Sequence, residues 1–346
     1  MTKITPKDRE LAMLDGEILD RMPIWQVCGI VAAKSLGYEW KDVRFDVEAC
    51  TDISRRFAKQ AGTDILGMTC VEMNAFMMDL GAEVKLPDDN YGNVVTHFYN
   101  DPEDLDRKEL YDPSNQKEAP WLWKGNIGKS KLMAELENDY LVQQNSWGLM
   151  TTAGFLRNVE TLLMDMVLEP ELAHKVISKT KGLVDGIIRT GLENGCDTAT
   201  LADPTSSGSL ISADVFETFL SKDLKGMIRG FKDDYGAPTY IHVCGDTIPV
   251  AKPISEAGAA FFSFDFMNNP AEIRKLVGNK IILAGNLDPM DVVWKGTPEK
   301  VMAASKNFID NIGGNAALAT GCETPRDAPI ENLQAMVKAV EKYTKR

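Results

Sequence analysis

The stretch Thr239-Tyr240-Ile241-His242-Val243-Cys244-Gly245 decides how the rest of this chain is read. Its β-branched and aromatic residues favour an extended strand, and Gly245 closes it. Side chains two apart on a strand share a face, so His242 and Cys244 present a nitrogen and a sulfur side by side. That pair is the start of a zinc site whose other ligands must come from elsewhere. The best supplier lies far along the chain, where Ala316-Ala317-Leu318-Ala319-Thr320-Gly321 runs into Cys322.

Outward from this strand toward the C-terminus, strands and helices alternate cleanly. A helix runs to Gly258, and a strand covers residues 260–265. Pro270 opens a helix that ends at Gly278, and residues 281–285 form the next strand. Thr297-Pro298-Glu299 caps a helix running to Ile312. A strand over 316–320 follows, and a last helix carries Ile330, Leu333, Val337 and Val340 at helical spacing.

Toward the N-terminus the same rhythm holds. Residues 198–202 read as a strand closed by Asp203-Pro204. Before it lies the clearest helix, from Pro170 to about Glu193, with Leu172, Val176, Leu183, Ile187 and Ile188 on one stripe. Residues 140–144, 64–70 and 23–29 read as further strands, and Val47 to Ala61 as a helix stopped by Gly62. Thr5-Pro6-Lys7-Asp8 starts a short helix, so residues 1–20 are expected as an N-terminal helical extension. Residues 85–139 are polar and turn-rich. They are expected as an insertion between strands two and three, with a hairpin around 94–99 and loops.

Eight short strands alternating with helices, without a long linker, predict an α/β fold: a (β/α)8 TIM barrel, one domain over 1–346. The competitor is a doubly wound open sheet, but its Gly-x-Gly-x-x-Gly turn is absent. Composition agrees with a globular chain that has a sizeable core, at 44% hydrophobic and 26% charged residues. No apolar run is long enough to span a bilayer, and no signal-peptide stretch opens the chain, so the expected compartment is cytoplasmic. Six cysteines are too few for a disulfide scaffold and are expected free or metal-bound. A net charge of −13 argues against nucleic acid and membrane surfaces as partners.

In a barrel the reactive side chains stand at the C-terminal ends of the strands. Those ends carry Gln26, Glu72, Gln143, Asp203, His242, Cys244, Asp265, Asn286, Asp288 and Cys322. Zinc held by one imidazole and two thiolates is tetrahedral with one position open. Two thiolates cancel the charge of the ion, which makes such a site a poor source of hydroxide. It suits an incoming thiol, whose pKa falls while its sulfur stays nucleophilic. The reaction expected of it is alkyl transfer to sulfur. Two other readings stand beside this one: a closed structural zinc with a fourth ligand, and His242 and Cys244 as ordinary core residues. Cys28, Cys50, Cys70 and Cys196 read as packing residues.

These residues resemble the uroporphyrinogen decarboxylase-like superfamily over nearly the whole chain, and most of all its corrinoid:coenzyme M methyltransferases. The matching segments are Asp20-Arg21-Met22-Pro23-Ile24-Trp25, Ala202-Asp203-Pro204 with Leu210-Ile211-Ser212, and His242-Val243-Cys244-Gly245-Asp246-Thr247. Gly285-Asn286-Leu287-Asp288-Pro289 and Gly321-Cys322 with Pro329-Ile330-Glu331-Asn332 complete them. The His-x-Cys with a distant Gly-Cys is the zinc signature of the methyltransferase branch. The Gly-Asn-Leu-Asp-Pro block marks the fold only.

The resemblance implies zinc on His242, Cys244 and Cys322, with Asp265 filling the fourth position when substrate is absent. It implies a small thiol acceptor such as coenzyme M, and a methyl donor in the form of a corrinoid (methylcobalamin type) on a separate corrinoid protein. Gln26, Glu72, Gln143, Asp203 and Asn286 are expected to line the substrate cavity. Related systems run the opposite half-reaction from a methoxy or methylamine donor, or deliver the methyl group to tetrahydrofolate. A barrel that only binds a corrinoid protein is a further alternative. The decarboxylase branch is marked by Pro-Val-Trp-x-x-Arg-Gln-Ala-Gly-Arg, whose arginines hold carboxylates. Here the same place reads Pro23-Ile24-Trp25-Gln26-Val27-Cys28-Gly29-Ile30, without arginine. Its Phe-Ser-Asp-Ile pattern on strand two is replaced by Gly67-Met68-Thr69-Cys70. Porphyrinogen decarboxylation therefore ranks below methyl transfer.

Overall fold

The computed structural model describes residues 4–345. The strands are, in chain order, β1 (Ile24–Trp25), β2 (Val84–Lys85), β3 (Asn93–Val94), β4 (Gln143–Trp147), β5 (Thr198–Ala202), β6 (Thr239–Val243), β7 (Phe261–Phe264), β8 (Ile282–Leu287) and β9 (Ala316–Thr320). Seven of them pair in parallel in the order β1-β9-β8-β7-β6-β5-β4. Residues 64–66 close the remaining gap. The Asp64 and Ile65 N–H groups donate to Ile24 O on one side, and Leu66 bridges Val142 in parallel on the other. A curled parallel sheet with helices between its strands is the TIM-barrel architecture.

The second strand of the barrel is thus reduced to one bridge, although residues 64–70 read as a full strand. Met68 and Cys70 take positive φ values of 59° and 50°, which break the extended run. The Met68 N–H goes to the Asn145 side chain, and Thr69 O is taken by the buried Lys129 ammonium at 2.8 Å. The backbone groups that would have formed a ladder are satisfied by side chains instead.

Alternation along the strands sorts the core into two layers. Trp25, Val27, Ile65, Tyr240, Phe261, Ile282, Ala284, Ala317 and Ala319 fill the barrel interior. Phe261 is its centre, stacked on Tyr240 at 4.5 Å and edge-on to Trp25 at 5.3 Å. Ile241 and Val243 point outward into the larger layer between sheet and helices. His242 follows the inward parity of Tyr240 and so stands in the barrel, above the aromatic plug.

The Pro6–Leu14 helix starts where expected, and it does so with a capping box, Thr5 and Asp8 each satisfying the other's backbone N–H. It lies under the N-terminal ends of the strands, where the Tyr240 hydroxyl donates to the fully buried Glu10 carboxyl at 2.6 Å. The hairpin falls earlier than expected, starting just before residues 85–139 and pairing Val84–Lys85 with Asn93–Val94. Residues 120–136 are helical and pack on the Val47–Ala61 helix. Lys129 and Asn126 tie this run to the end of the second barrel strand and to the middle of β4, through Thr69 O and Asn145 O. Among the described residues, no helix is long and apolar enough to cross a membrane.

Candidate metal centre

His242, Cys244 and Cys322 come together with their ligand atoms all within 4.8 Å of one another. Four bonds of ~2.3 Å at tetrahedral angles put neighbouring ligand sulfurs ~3.8 Å apart, so this group fits one zinc ion with little adjustment. His242 is buried, while both cysteines are half-buried, so the group opens toward solvent on the cysteine side. The His242 Nδ1 lies 3.0 Å from Ser263 Oγ on the neighbouring strand, which leaves Nε2 for a metal. The hydrogen bond from Cys322 holds the Cys244 thiol below its ordinary value, and the same bond pushes Cys322 up.

Two glycines beside the ligands are required by close approach. Gly245, after Cys244, has φ +81°, and a Cβ there would meet Ser207 Oγ at 2.6 Å. Gly321, before Cys322, has the Phe266 backbone nitrogen 2.6 Å from where its Cβ would stand. The loop after β7 is therefore seated directly on the strand end that delivers Cys322.

The structure distributes the other expected site residues differently. Asp265 stands at the mouth, but its carboxylate is outside the three-residue group. Oδ2 accepts from the Gly245 N–H at 2.9 Å and Oδ1 from the Met267 N–H at 3.2 Å, so the short side chain is used as a loop staple. Asn286 is a staple too, donating to Asp265 O at 3.2 Å and Asn268 O at 2.8 Å. Asp203 follows Ala202, the register partner of His242. It accepts from the Met150 N–H, the Thr151 N–H and the Thr151 hydroxyl, capping the Leu149–Arg157 helix. Burial pushes its carboxyl up to about 6. Asp288 caps its own turn, accepting from the Met290 and Asp291 N–H groups.

Gln26 and Gln143 leave the mouth, whereas Glu72 stays at the C-terminal end of the second barrel strand with its carboxylate turned to the hairpin. Gln26 points outward, because inward parity on β1 belongs to Trp25 and Val27, and its Nε2 donates to Leu333 O at 2.8 Å on the last helix. Gln143 faces the interior at the start of β4, four residues below Trp147, the partner of Ala202. There its Oε1 accepts from the Thr200 hydroxyl at 2.6 Å. Glu72 is buried against Arg44 at 3.7 Å and accepts from the Gly92 N–H, fastening the hairpin loop to the end of strand two. Ser263, which orients His242, was not singled out by sequence. Only the strand register, pairing His242 with Ser263, reveals it.

A parallel barrel with a His-Cys-Cys group at its mouth, able to hold a metal ion, is an enzyme-like arrangement on a TIM scaffold. Residues 5–343 match the uroporphyrinogen decarboxylase (URO-D) family model, and the chain belongs to that family. It is 27% identical to the methylcobamide:CoM methyltransferase MtbA of Methanosarcina mazei, over 99% of both chains. It is 24% identical to the methylcobamide:CoM methyltransferase MtaA of Methanosarcina barkeri, again over 99% of both. The solved structure of a methyltransferase from Methanosarcina mazei superposes with a TM-score of 0.85 at 21% identity, over 99% of both chains, which shows the same fold.

Proposed function

We propose that this chain is a zinc-dependent methyltransferase of a corrinoid system, moving a methyl group from a methyl-corrinoid protein to a small thiol such as coenzyme M. The observation that carries this reading is the His242-Cys244-Cys322 group at the barrel mouth, with its imidazole buried and its two cysteines half-buried. The names of the two full-length relatives point the same way. His242, Cys244 and Cys322 would hold a zinc ion that supplies a neutral Lewis-acidic position where a thiol gives up its proton and remains nucleophilic.

The chain's own residues do the rest. Ser263 fixes the imidazole, Asp265 and Asn286 fix the loops around Cys244, and the open side of the two cysteines admits thiol and donor. In the transfer the acceptor sulfur supplies the electron pair of the new S–C bond. The pair of the broken Co–C bond stays on cobalt, which falls from the III to the I state, and the thiol proton leaves to water.

Purified protein is expected to hold about one zinc per chain and to demethylate methylcobalamin to cob(I)alamin with 2-mercaptoethanesulfonate. Thiol addition alone should release close to one proton per zinc near neutral pH. Full activity of metal-free protein would sink the zinc reading. Failure of every thiol, together with methylation of cob(I)alamin by an aryl methyl ether or a methylamine, would move the protein to the donor side.

A further inference from the structure

The loop after β7, residues 265–269, is fastened to its neighbours on three sides. Toward the loop of Cys244, Asp265 Oδ2 accepts from the Gly245 N–H, Asn268 Oδ1 from the Thr247 N–H, and Asn268 Nδ2 donates to Gly245 O at 2.8 Å. Toward β8, Asn286 Nδ2 donates to Asp265 O and Asn268 O. Toward Cys322, the Phe266 backbone rests on Gly321. Hydrogen bonds between short side chains and backbone on this scale fix a loop in one conformation.

This fixed loop nevertheless turns two large apolar side chains to solvent. Phe266 is 45% exposed and Met267 62% exposed. Leu210 on the loop after β5 and Met290 in the turn after β8 are half-exposed at the same end of the barrel, and the Leu210 loop is tied to the Cys244 loop through Gly208 N–H to Asp246 O. Large apolar side chains held out to solvent by a fixed loop beside a reactive centre mark a contact surface.

The reaction dictates what covers it. The acceptor sulfur has to come within ~3–3.5 Å of a methyl carbon carried on cobalt at the centre of a broad, flat corrin macrocycle. A side chain that stands out from the mouth next to Cys322 must then lie against that ring. Phe266 is so placed, Met267 follows it on the same fixed loop, and a Phe face with a Met thioether suits a flat, largely apolar ring.

We propose that Phe266 and Met267 form the platform on which the corrin ring of the methyl donor rests, a proposal that builds on the methyl-transfer reading above. The platform sets donor affinity and leaves metal and thiol binding to other residues. Phe266→Ser and Met267→Ser are each expected to raise the KM for methylcobalamin about tenfold, with zinc content intact and kcat within threefold. Val167→Ser and Leu168→Ser, on the exposed apolar face of the Val159–Leu168 helix, serve as controls and should leave that KM where it was.

An unmoved KM in both platform variants, with normal zinc content, overturns the proposal. If wild type transfers no methyl from methylcobalamin to any thiol, the functional reading fails separately. The platform is then judged by equilibrium dialysis against methylcobalamin. Binding weakened in the double variant supports it, and equal binding, or none to wild type, overturns it.

Discussion

His242 can serve a metal through Nε2 only while Ser263 holds Nδ1, and the two side chains sit on adjacent strands 3.0 Å apart. Ser263→Ala removes the partner and leaves the ring free to turn, so zinc affinity should fall about 10–100-fold with the fold unchanged. A chelator competition titration measures this directly. Cys244→Ala and Cys322→Ala should lose the metal outright, whereas Asp265→Ala should keep it, because both Asp265 oxygens bond backbone N–H groups. Loss of zinc in Asp265→Ala equal to that in the cysteine variants would restore it as a ligand. The three cluster residues were readable in sequence because strand parity alone aligns His242 with Cys244. Gln26 and Gln143 stand away from the mouth, and Glu72 turns to the hairpin, for the converse reason. A polar residue near a strand end carries no mark of which face, or which end of the barrel, it occupies, and only the register and the Leu333, Thr200 and Gly92 contacts decide it.

Among the elements, the Pro6–Leu14 helix carries a testable consequence through Glu10. Burial holds this carboxyl at about 8, against 4.5 for the free side chain. The Tyr240 hydroxyl bond and Gln143 work against that rise, and Asp64 and Asp197 add to it. Protons therefore favour the folded form. The stabilising contribution of the neutral carboxyl is full below pH 4.5 and is lost as pH rises through about 8, amounting to a few kcal/mol as an order of magnitude. Glu10→Gln keeps an acceptor for Tyr240 and should flatten this loss, seen as a smaller difference in urea midpoint between pH 6 and pH 9 than in wild type. An equal pH slope in both proteins would remove Glu10 as its source. Elements with strong local signals were legible: the Val47–Ala61 and Pro170–Glu193 helices and the strands β5 and β9 fall where periodicity and stops put them. The second strand failed because its conformation is fixed by Lys129 and Asn145 from elsewhere in the chain, which no local pattern records. Residues 120–136 hid their helix for a related reason, since the run from Trp123 to Ile127 is a wide turn with Gly125 pressed on Ala75.

At the scale of the whole molecule, the chemistry and the stability are built from different parts. A groove of about 800 Å³ lies at the N-terminal end, around Leu11, Leu14 and the strand starts, while the candidate metal ligands stand at the opposite mouth. His242 sits within β6, a strand paired on both sides, and Cys322 is the second residue beyond β9, which is paired on both sides as well. The core that holds those strands is the Phe261 plug within and the apolar layer outside, and neither includes a ligand of the cluster. A domain whose ligands are positioned by an already closed barrel differs from a zinc finger, in which metal binding is the folding energy. Removing zinc with a chelator should therefore abolish methyl transfer while leaving the far-ultraviolet circular dichroism unchanged and the thermal midpoint lowered by only a few degrees. Re-addition of zinc should restore activity without refolding, and Phe261→Ala should do the reverse, costing about 3–5 kcal/mol of stability while the surviving folded fraction still binds zinc. Collapse of the circular dichroism signal on chelation would make the centre a structural zinc and would remove the open position on which the transfer chemistry depends.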